Sequence, residues 1–340
     1  MIDVVFRADG GAAVGAGHLM RCLALAEVCA ASGWRCTLVS AIESRLHEAW
    51  HRKGMAVQTL GMEPGGEADM NFMLSTAMTL NATWIVVDGY RLAESYLEQL
   101  AMSDHLLLYL DDLGNRDVCA DLVLNQNVGA ETRYAGSYSR AKRVLLGAEY
   151  FLVRSEIRQQ YRTPEENRVL VTFGGDDRDN LAMEFMHLLL ETGCEFQADV
   201  ICTAPEEGYE QAMQLAAANP DRFKVYRGGC EIAPLLGQAA VLACAGGVTV
   251  CEAACLGVPS VITVLAENQL PGAKALADRG AAMIAGIGRQ ALPAAATCVM
   301  SLLADSIRCS MLGDEGRRAI DGNGADRVVV AMRETMAVSR

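Results

Sequence analysis

From Val4 to Arg21 the chain runs as an apolar segment, a loop of small residues and an amphipathic helix, and that order dictates much of what can follow. Val4-Val5-Phe6 reads as a buried first strand. Glycines at 10, 11, 15 and 17 make the loop. Leu19, Cys22, Leu23 and Ala26 then recur at helical spacing, with Arg21 and Glu27 on other faces. A glycine-rich strand-to-helix turn lets backbone approach a ligand closely and aims free N–H groups outward. His18 stands at the mouth of that helix, where an imidazole suits a base beside a phosphate leaving group. Such turns are common in α/β proteins and most carry no histidine chemistry, so the unit by itself leaves both readings open. The spacing Gly10, Gly15, Gly17 misses the dinucleotide fingerprint. Val39 is followed by Ser40 and Ala41 rather than by an acidic residue for a ribose, so NAD is discounted.

The same alternation continues. Strands are expected at 35–40, 56–60, 84–87, 106–110 and 122–124, with helices over 43–53, 68–80 and 92–102. This spacing predicts a parallel, doubly wound sheet, which binds ligands beyond the carboxyl ends of its strands. Polar clusters fall at those ends: Arg7/Asp9, Asp88/Tyr90, Asp111/Asp112 and Asn125/Asn127. Residues 129–166 break the rhythm and read as a partly helical connection. Strands resume at 168–173, 196–203, 223–227, 240–244 and 259–264, with helices over 206–218, 232–238 and 250–256 and helices to the end. The expected layout is a Rossmann-like domain over 1–150, a linker over 151–167, a second Rossmann-like domain over 168–325 and a closing helix over 326–340. The strand ends of two such domains would face a cleft. A second small-residue turn, Gly246-Gly247-Val248-Thr249, passes straight from strand to helix, and its N–H groups suit a diphosphate. Glu252 on that helix could accept from a ribose diol, or could simply favour the helix dipole.

With 340 residues, 51% of them apolar, the chain can bury two ordinary cores. A net charge of −13 argues against nucleic acid. It does not exclude a small phosphorylated ligand held by local N–H groups. The 12 cysteines are scattered with no Cys-x-x-Cys, and histidines 18, 47, 51, 105 and 187 form no motif with them. No metal and no cofactor are therefore expected. Without a secretory signal or a spanning apolar run, the expectation is a cytoplasmic protein with reduced thiols, no membrane insertion and a monomeric state.

Six features coincide in order and spacing: Phe6-Arg7-Ala8-Asp9 with Gly15-Ala16-Gly17-His18 and Arg21; Asp88-Gly89-Tyr90; Asp111-Asp112; Leu124-Asn125-Gln126-Asn127; Phe173-Gly174-Gly175-Asp176; and Glu267-Asn268-Gln269. Together they resemble the UDP-sugar hydrolases of pseudaminic acid biosynthesis, which act on UDP-2,4-diacetamido-2,4,6-trideoxy-β-L-altropyranose. These enzymes have a GT-B fold related to the glycosyltransferase of peptidoglycan lipid II synthesis. The resemblance runs from about Met1 to Gly280, and Gly-x-Gly-His-x-x-Arg is its most specific part. It implies that His18 is the general base. It implies that Asp9, Arg21, Tyr90, Asn127, Asn268 and Gln269 surround the sugar or hold that base. It gives UDP to Gly15, Gly17, Gly174, Gly246, Gly247, Val248, Thr249 and Glu252, with the backbone at Ile232 meeting uracil. Where serines often line the second turn, this chain has Ala245-Gly246-Gly247, which limits hydroxyl contacts there to Thr249.

The implied reaction is attack of water on the anomeric carbon with inversion, expelling UDP. A glycosidase usually protonates its leaving oxygen; UDP is a stable anion and needs no such acid. An imidazole, with an ordinary pKa of about 6.5, suits the water's proton. Competing readings are a UDP-sugar glycosyltransferase, a hydrolysing UDP-HexNAc 2-epimerase and a non-catalytic UDP-sugar sensor. Among the residues, Asp111-Asp112 reads first as a turn cap. Tyr90 reads as a wall of the site, Asn268 equally as a helix N-cap, and His47/His51 as a solvated face.

Overall fold

The computed structural model describes residues 1–10, 17–41, 45–175 and 177–338, the side chains at 45 and 46 excepted. It divides into two compact units: Met1–Arg154 together with the segment from Gly322, and Ser155–Asp321.

The first unit is built on seven strands: β1 (Asp3–Ala8), β2 (Arg35–Ser40), β3 (Ala56–Thr59), β4 (Trp84–Asp88), β5 (Leu106–Leu110), β6 (Leu122–Asn125) and β7 (Arg143–Leu146). Their order is β3-β2-β1-β4-β5-β6-β7, and every pairing is parallel. Central strands of a parallel sheet are covered on both faces, so they read as continuous apolar runs. Val4 and Phe6 face the helix Gly17–Ala31, in a core with Leu19, Leu23 and Trp84. Val5 faces the opposite side, with Val39, Ile85, Val87, Met73 and Leu97. The chain leaves β1 toward β2 on one side, and from β4 it proceeds toward β7 on the other. The winding therefore reverses between β1 and β4, which are paired with Ala8 level with Asp88. Such a reversal opens a crevice at the carboxyl ends of the two strands.

The second unit repeats the plan with β8 (Arg168–Thr172), β9 (Gln197–Cys202), β10 (Phe223–Arg227), β11 (Val241–Ala245), β12 (Ser260–Val264) and β13 (Met283–Ile287). The order β10-β9-β8-β11-β12-β13 reverses between β8 and β11. Gly174-Gly175 follows β8 and Gly246-Gly247 follows β11, so both glycine turns sit at this second reversal.

Two strands depart from the expectation. The stretch read as a connection, 129–166, contains β7, and the closing run of helices contains β13. Both lie at sheet edges. β7 has only four residues, too few to display a period. β13 is interrupted by Gly286 at φ 153, and its register with β12 shifts between Ile262 and Thr263; a glycine inside a strand weakens its signature. From Ser155 the expected linker is ordered within the second unit, where the N–H groups of Thr163 and Glu165 donate to the carbonyls of Gly237 and Gln238 at 2.9 Å.

The closing helix, Gly324–Val338, belongs to the first unit and buries Ala325, Val328, Val329 and Met332 in the core shared with Leu19. Its entry is tight: a Cβ on Gly324 would lie 2.3 Å from the carbonyl oxygen of Phe151 and 2.6 Å from its nitrogen. Gly324→Ala should therefore destabilise the protein by about 1–3 kcal/mol through overpacking against backbone. Gly136→Ala, whose Cβ would meet nothing within 4 Å, should be nearly neutral. Thermal unfolding of the two variants checks the contrast; equal melting temperatures would contradict it.

Candidate functional site

The carboxyl ends of β1 and β4 gather most of the ionic side chains buried in the first unit. Asp88, the last residue of β4, is 2% exposed. Its Oδ1 lies 2.6 Å from His18 Nδ1 and accepts from Arg21 Nη2 at 2.5 Å. Its Oδ2 accepts from Arg21 Nε at 2.5 Å and from the Cys22 thiol at 3.7 Å. One helical turn separates His18 from Arg21 and Cys22, so a single face of the helix Gly17–Ala31 delivers all three.

The hydrogen-bond network assigns the imidazole tautomer. A carboxylate only accepts, so Nδ1 carries the proton donated to Asp88. Arg21 Nη2, 3.1 Å from that nitrogen, directs its own N–H to Asp88 instead. Nε2 is left as the lone-pair nitrogen. The ring lines a small concavity with Arg7, Asp9, Gly89, Tyr90, Arg91 and Leu92.

Burial opposes ionisation of Asp88, but the charge of Arg21 and the hydrogen bonds from Arg21 and His18 outweigh it and hold the carboxyl well below the usual range. Arg21, against its own burial, is raised by Asp112 and Asp88. Its third bond runs from Nη1 to Asp112 Oδ1 at 2.5 Å. Asp112 Oδ2 accepts the Tyr90 hydroxyl at 2.6 Å, and the Tyr90 ring meets His18 edge-on with centroids 4.6 Å apart. Burial and the neighbouring Asp112 both raise the Tyr90 pKa, so the phenol stays protonated.

A second network stands beside the first. Arg7 is 1% exposed; its Nε and Nη2 reach Asp69 at 3.0 and 2.8 Å, and its Nη1 reaches Asp9 at 2.7 Å. Asp69 also accepts from Gly65 N and the Tyr96 hydroxyl. Asp9 accepts from Ala41 N at 2.7 Å. Burial works against its charge, but Arg7 and that N–H lower its pKa.

Among the residues singled out by sequence, His18, Arg21, Tyr90 and Asp9 come together here. Asn127 stands next to them, donating from Nδ2 to the Asp112 carbonyl at 2.9 Å. Gly17 opens the His18 helix, and Gly15 lies outside the described residues. Asp111 and Asp112 part company. Asp111 accepts from the N–H groups of Leu113 and Gly114 and from Tyr138, the turn role expected of the pair. Asp112 belongs to the His18 cluster instead. The solvated-face reading fails for His47, which is 4% exposed.

In the second unit Gly247 is the N-cap of the helix Val248–Leu256, and no side chain caps it. A Cβ on Gly247 would meet nothing within 4 Å, so the first-turn N–H groups stand behind open backbone. Val248 and Thr249 form that turn, and Glu252 is buried one turn further. Gln269 Oε1 accepts from Gly246 N at 3.2 Å and Leu265 N at 3.0 Å, tying the ends of β11 and β12 together. Asn268 is exposed and is not the cap of the following helix, whose N-cap is Gln269. Gly174 turns at φ 106, and its carbonyl accepts the Thr203 hydroxyl at 2.7 Å. Ile232 is buried at the start of its helix. Among the described residues no group of three or more His, Cys, Asp or Glu is placed to hold a metal ion, and no single helix is long and apolar enough to cross a membrane.

No protein-family model matches the chain. The spore coat polysaccharide biosynthesis protein SpsG of Bacillus subtilis is 24% identical over 96% of each chain. An uncharacterized protein of Methanocaldococcus jannaschii is 23% identical over 60% of this chain, and the match spans only 44% of that relative's length. Among solved structures, a putative UDP-N-acetylglucosamine 2-epimerase from Listeria monocytogenes aligns with a TM-score of 0.70 at 15% identity, covering 99% of this chain and 97% of its own. MurG from Acinetobacter baumannii aligns with a TM-score of 0.67 at 16% identity, covering 98% and 100%. With its two parallel-sheet α/β units, the chain has the GT-B fold.

The depressed pKa of Asp88 fixes a pH dependence. Because the folded-state value lies below that of the unfolded chain, Asp88 stabilises the fold at every pH above the ordinary carboxylate range. That stabilisation drains away as pH falls below about 4. Asp88→Asn, which leaves a buried guanidinium short of a partner, should cost on the order of 3 kcal/mol at pH 7. The gap to the wild type should narrow by about pH 3, measured by urea unfolding. An undiminished gap at the lower pH would contradict the assignment.

Proposed function

We propose that the chain is a UDP-sugar hydrolase that releases UDP from a UDP-2,4-diacetamido-2,4,6-trideoxyhexose by attack of water at the anomeric carbon, a step of nonulosonic (pseudaminic) acid biosynthesis. The observation that carries the reading is the His18–Asp88 hydrogen bond at the reversal between β1 and β4. It leaves Nε2 as the base, and the imidazolium formed when Nε2 takes the water's proton faces a carboxylate already in place. The water oxygen bonds to the anomeric carbon as the bond to the UDP oxygen breaks, and the electron pair leaves with UDP. No acid is required for so stable an anion.

Charge divides the labour. Within the hydrogen-bonded networks of Asp88 and Arg7, the carboxylates Asp9, Asp69, Asp88 and Asp112 outnumber the guanidiniums Arg7 and Arg21 by four to two, with Arg91 also lining the concavity. Such a cluster repels a diphosphate and favours the positive charge that develops at an oxocarbenium-like carbon. The uncapped N-terminus at Gly247–Thr249 has the opposite polarity and suits the diphosphate. Asp9, Tyr90 and Asn127 are assigned to the sugar side. Gly174, Gly246, Gly247, Val248, Thr249, Glu252 and the backbone at Ile232 are assigned to UDP. Asn268 is assigned to the sugar, and Gln269 holds the turn. Gly17 and Gly15 complete the loop before the base. The name of the Bacillus subtilis relative fits a role in building a surface polysaccharide, and the reading places the protein in the cytoplasm as a monomer without cofactor.

A glycosyltransferase is the second reading, favoured by the MurG likeness. Incubation with the UDP-sugar and no acceptor separates the two, because only the hydrolase turns over. In that assay His18→Ala and His18→Gln should lower kcat by about 10²–10⁴-fold while UDP binding, measured by calorimetry, is retained. Turnover near that of the wild type would remove His18 from the mechanism.

A further inference from the structure

Asp112 makes more contacts than a wall residue requires. Its two carboxylate oxygens are divided between Arg21 Nη1 and the Tyr90 hydroxyl, at 2.5 and 2.6 Å. Its backbone carbonyl is held separately by Asn127 Nδ2 at 2.9 Å. Tyr90 is 44% exposed, yet its ring stands edge-on to His18 at an interplanar angle of 80°. An exposed tyrosine on a loop has no reason to keep one rotamer unless something fixes its far end. The Asp112 carboxylate is that fixture. The loop backbone is pinned independently: Arg116 donates to the carbonyls of Tyr90 and Leu92 at 3.0 and 2.7 Å, and Gly65 packs so closely that a Cβ there would lie 2.3 Å from the Arg91 carbonyl oxygen. Freeing the phenol therefore frees only the side chain.

We infer that Asp112 is a positioning residue that locks Tyr90 as a cap over the His18–Asp88 hydrogen bond while steadying Arg21 on its other side. The cap keeps water from competing for Asp88 and holds the imidazole plane fixed. A hydrogen bond shielded from solvent is stronger than an exposed one, and a base whose ring cannot swing keeps its lone pair on the reacting water. Neither Asp112 nor the Tyr90 hydroxyl exchanges a proton with substrate in this account. Only the kinetic arm of the test below rests on the hydrolase reading.

The test is proton NMR of the whole chain, following the downfield imidazole N–H signal of His18, assigned by its loss in His18→Gln. Tyr90→Phe keeps the ring and removes the tether; Asp112→Ala removes the tether from the other end. Each should speed exchange of that proton with water by about tenfold, the ratio one lost hydrogen bond gives. The double variant should be no faster than the quicker single one, since both changes release the same cap. Unchanged exchange in Tyr90→Phe, or singles whose effects multiply in the double variant, would overturn the inference. In the kinetic arm, Tyr90→Phe, which keeps the ring against the sugar side, should lower kcat with KM unchanged; a rise in KM alone would show the hydroxyl serving the substrate rather than the tether to Asp112 and overturn the inference. If the wild type hydrolyses no UDP-sugar, the functional reading fails and the exchange measurement still decides the role of Asp112.

Discussion

A single buried carboxylate organises the chemistry of the first unit. Asp88 sits at the end of β4, almost out of contact with water, where a guanidinium, an imidazole and a thiol reach it from one helix and the guanidinium does most to keep it ionised. A buried charge on its own is costly, and removing one partner leaves the others exposed to that cost. The same contacts that stabilise Asp88 also fix His18. Position, tautomer and orientation of the imidazole are thus set by the requirement that one carboxylate be satisfied. Sheet topology supplies the location, because a doubly wound sheet opens a crevice at the strand ends where its winding reverses, here between β1 and β4.

The two units answer different electrostatic demands. Under the proposed reaction, the carboxylate-rich cluster around His18 suits a neutral sugar passing through a cationic transition state. The glycine turn before Val248 has no side-chain cap and presents backbone donors, which suit an anion. Gln269 supports that turn by tying the ends of β11 and β12.

The architecture was legible because its signals are long and redundant: buried runs such as Trp84–Asp88, each ended by a polar cluster. β7 and β13 were not, being short edge strands with little periodicity or an internal glycine. Asp9 and Tyr90 are legible because they lie within two residues of strand ends, and His18 and Arg21 because they open the helix that follows a glycine-rich stretch. Asp88 was noted at its strand end, but nothing in the sequence showed that it would bind an imidazole 70 residues away. Asp111 and Asp112 together end a strand and so read as one turn cap; two adjacent residues leaving a strand point to opposite sides, and only coordinates show which enters the site. His47 was taken as solvated because its neighbours Arg52 and Lys53 are charged, while its own position faces inward.

The claim that His18 delivers water to the anomeric carbon is tested most directly by hydrolysing the UDP-sugar in ¹⁸O-labelled water and locating the isotope in the products. The account predicts label on the sugar's anomeric hydroxyl and none in UDP. Label in the phosphate of UDP would show attack at phosphorus and contradict it.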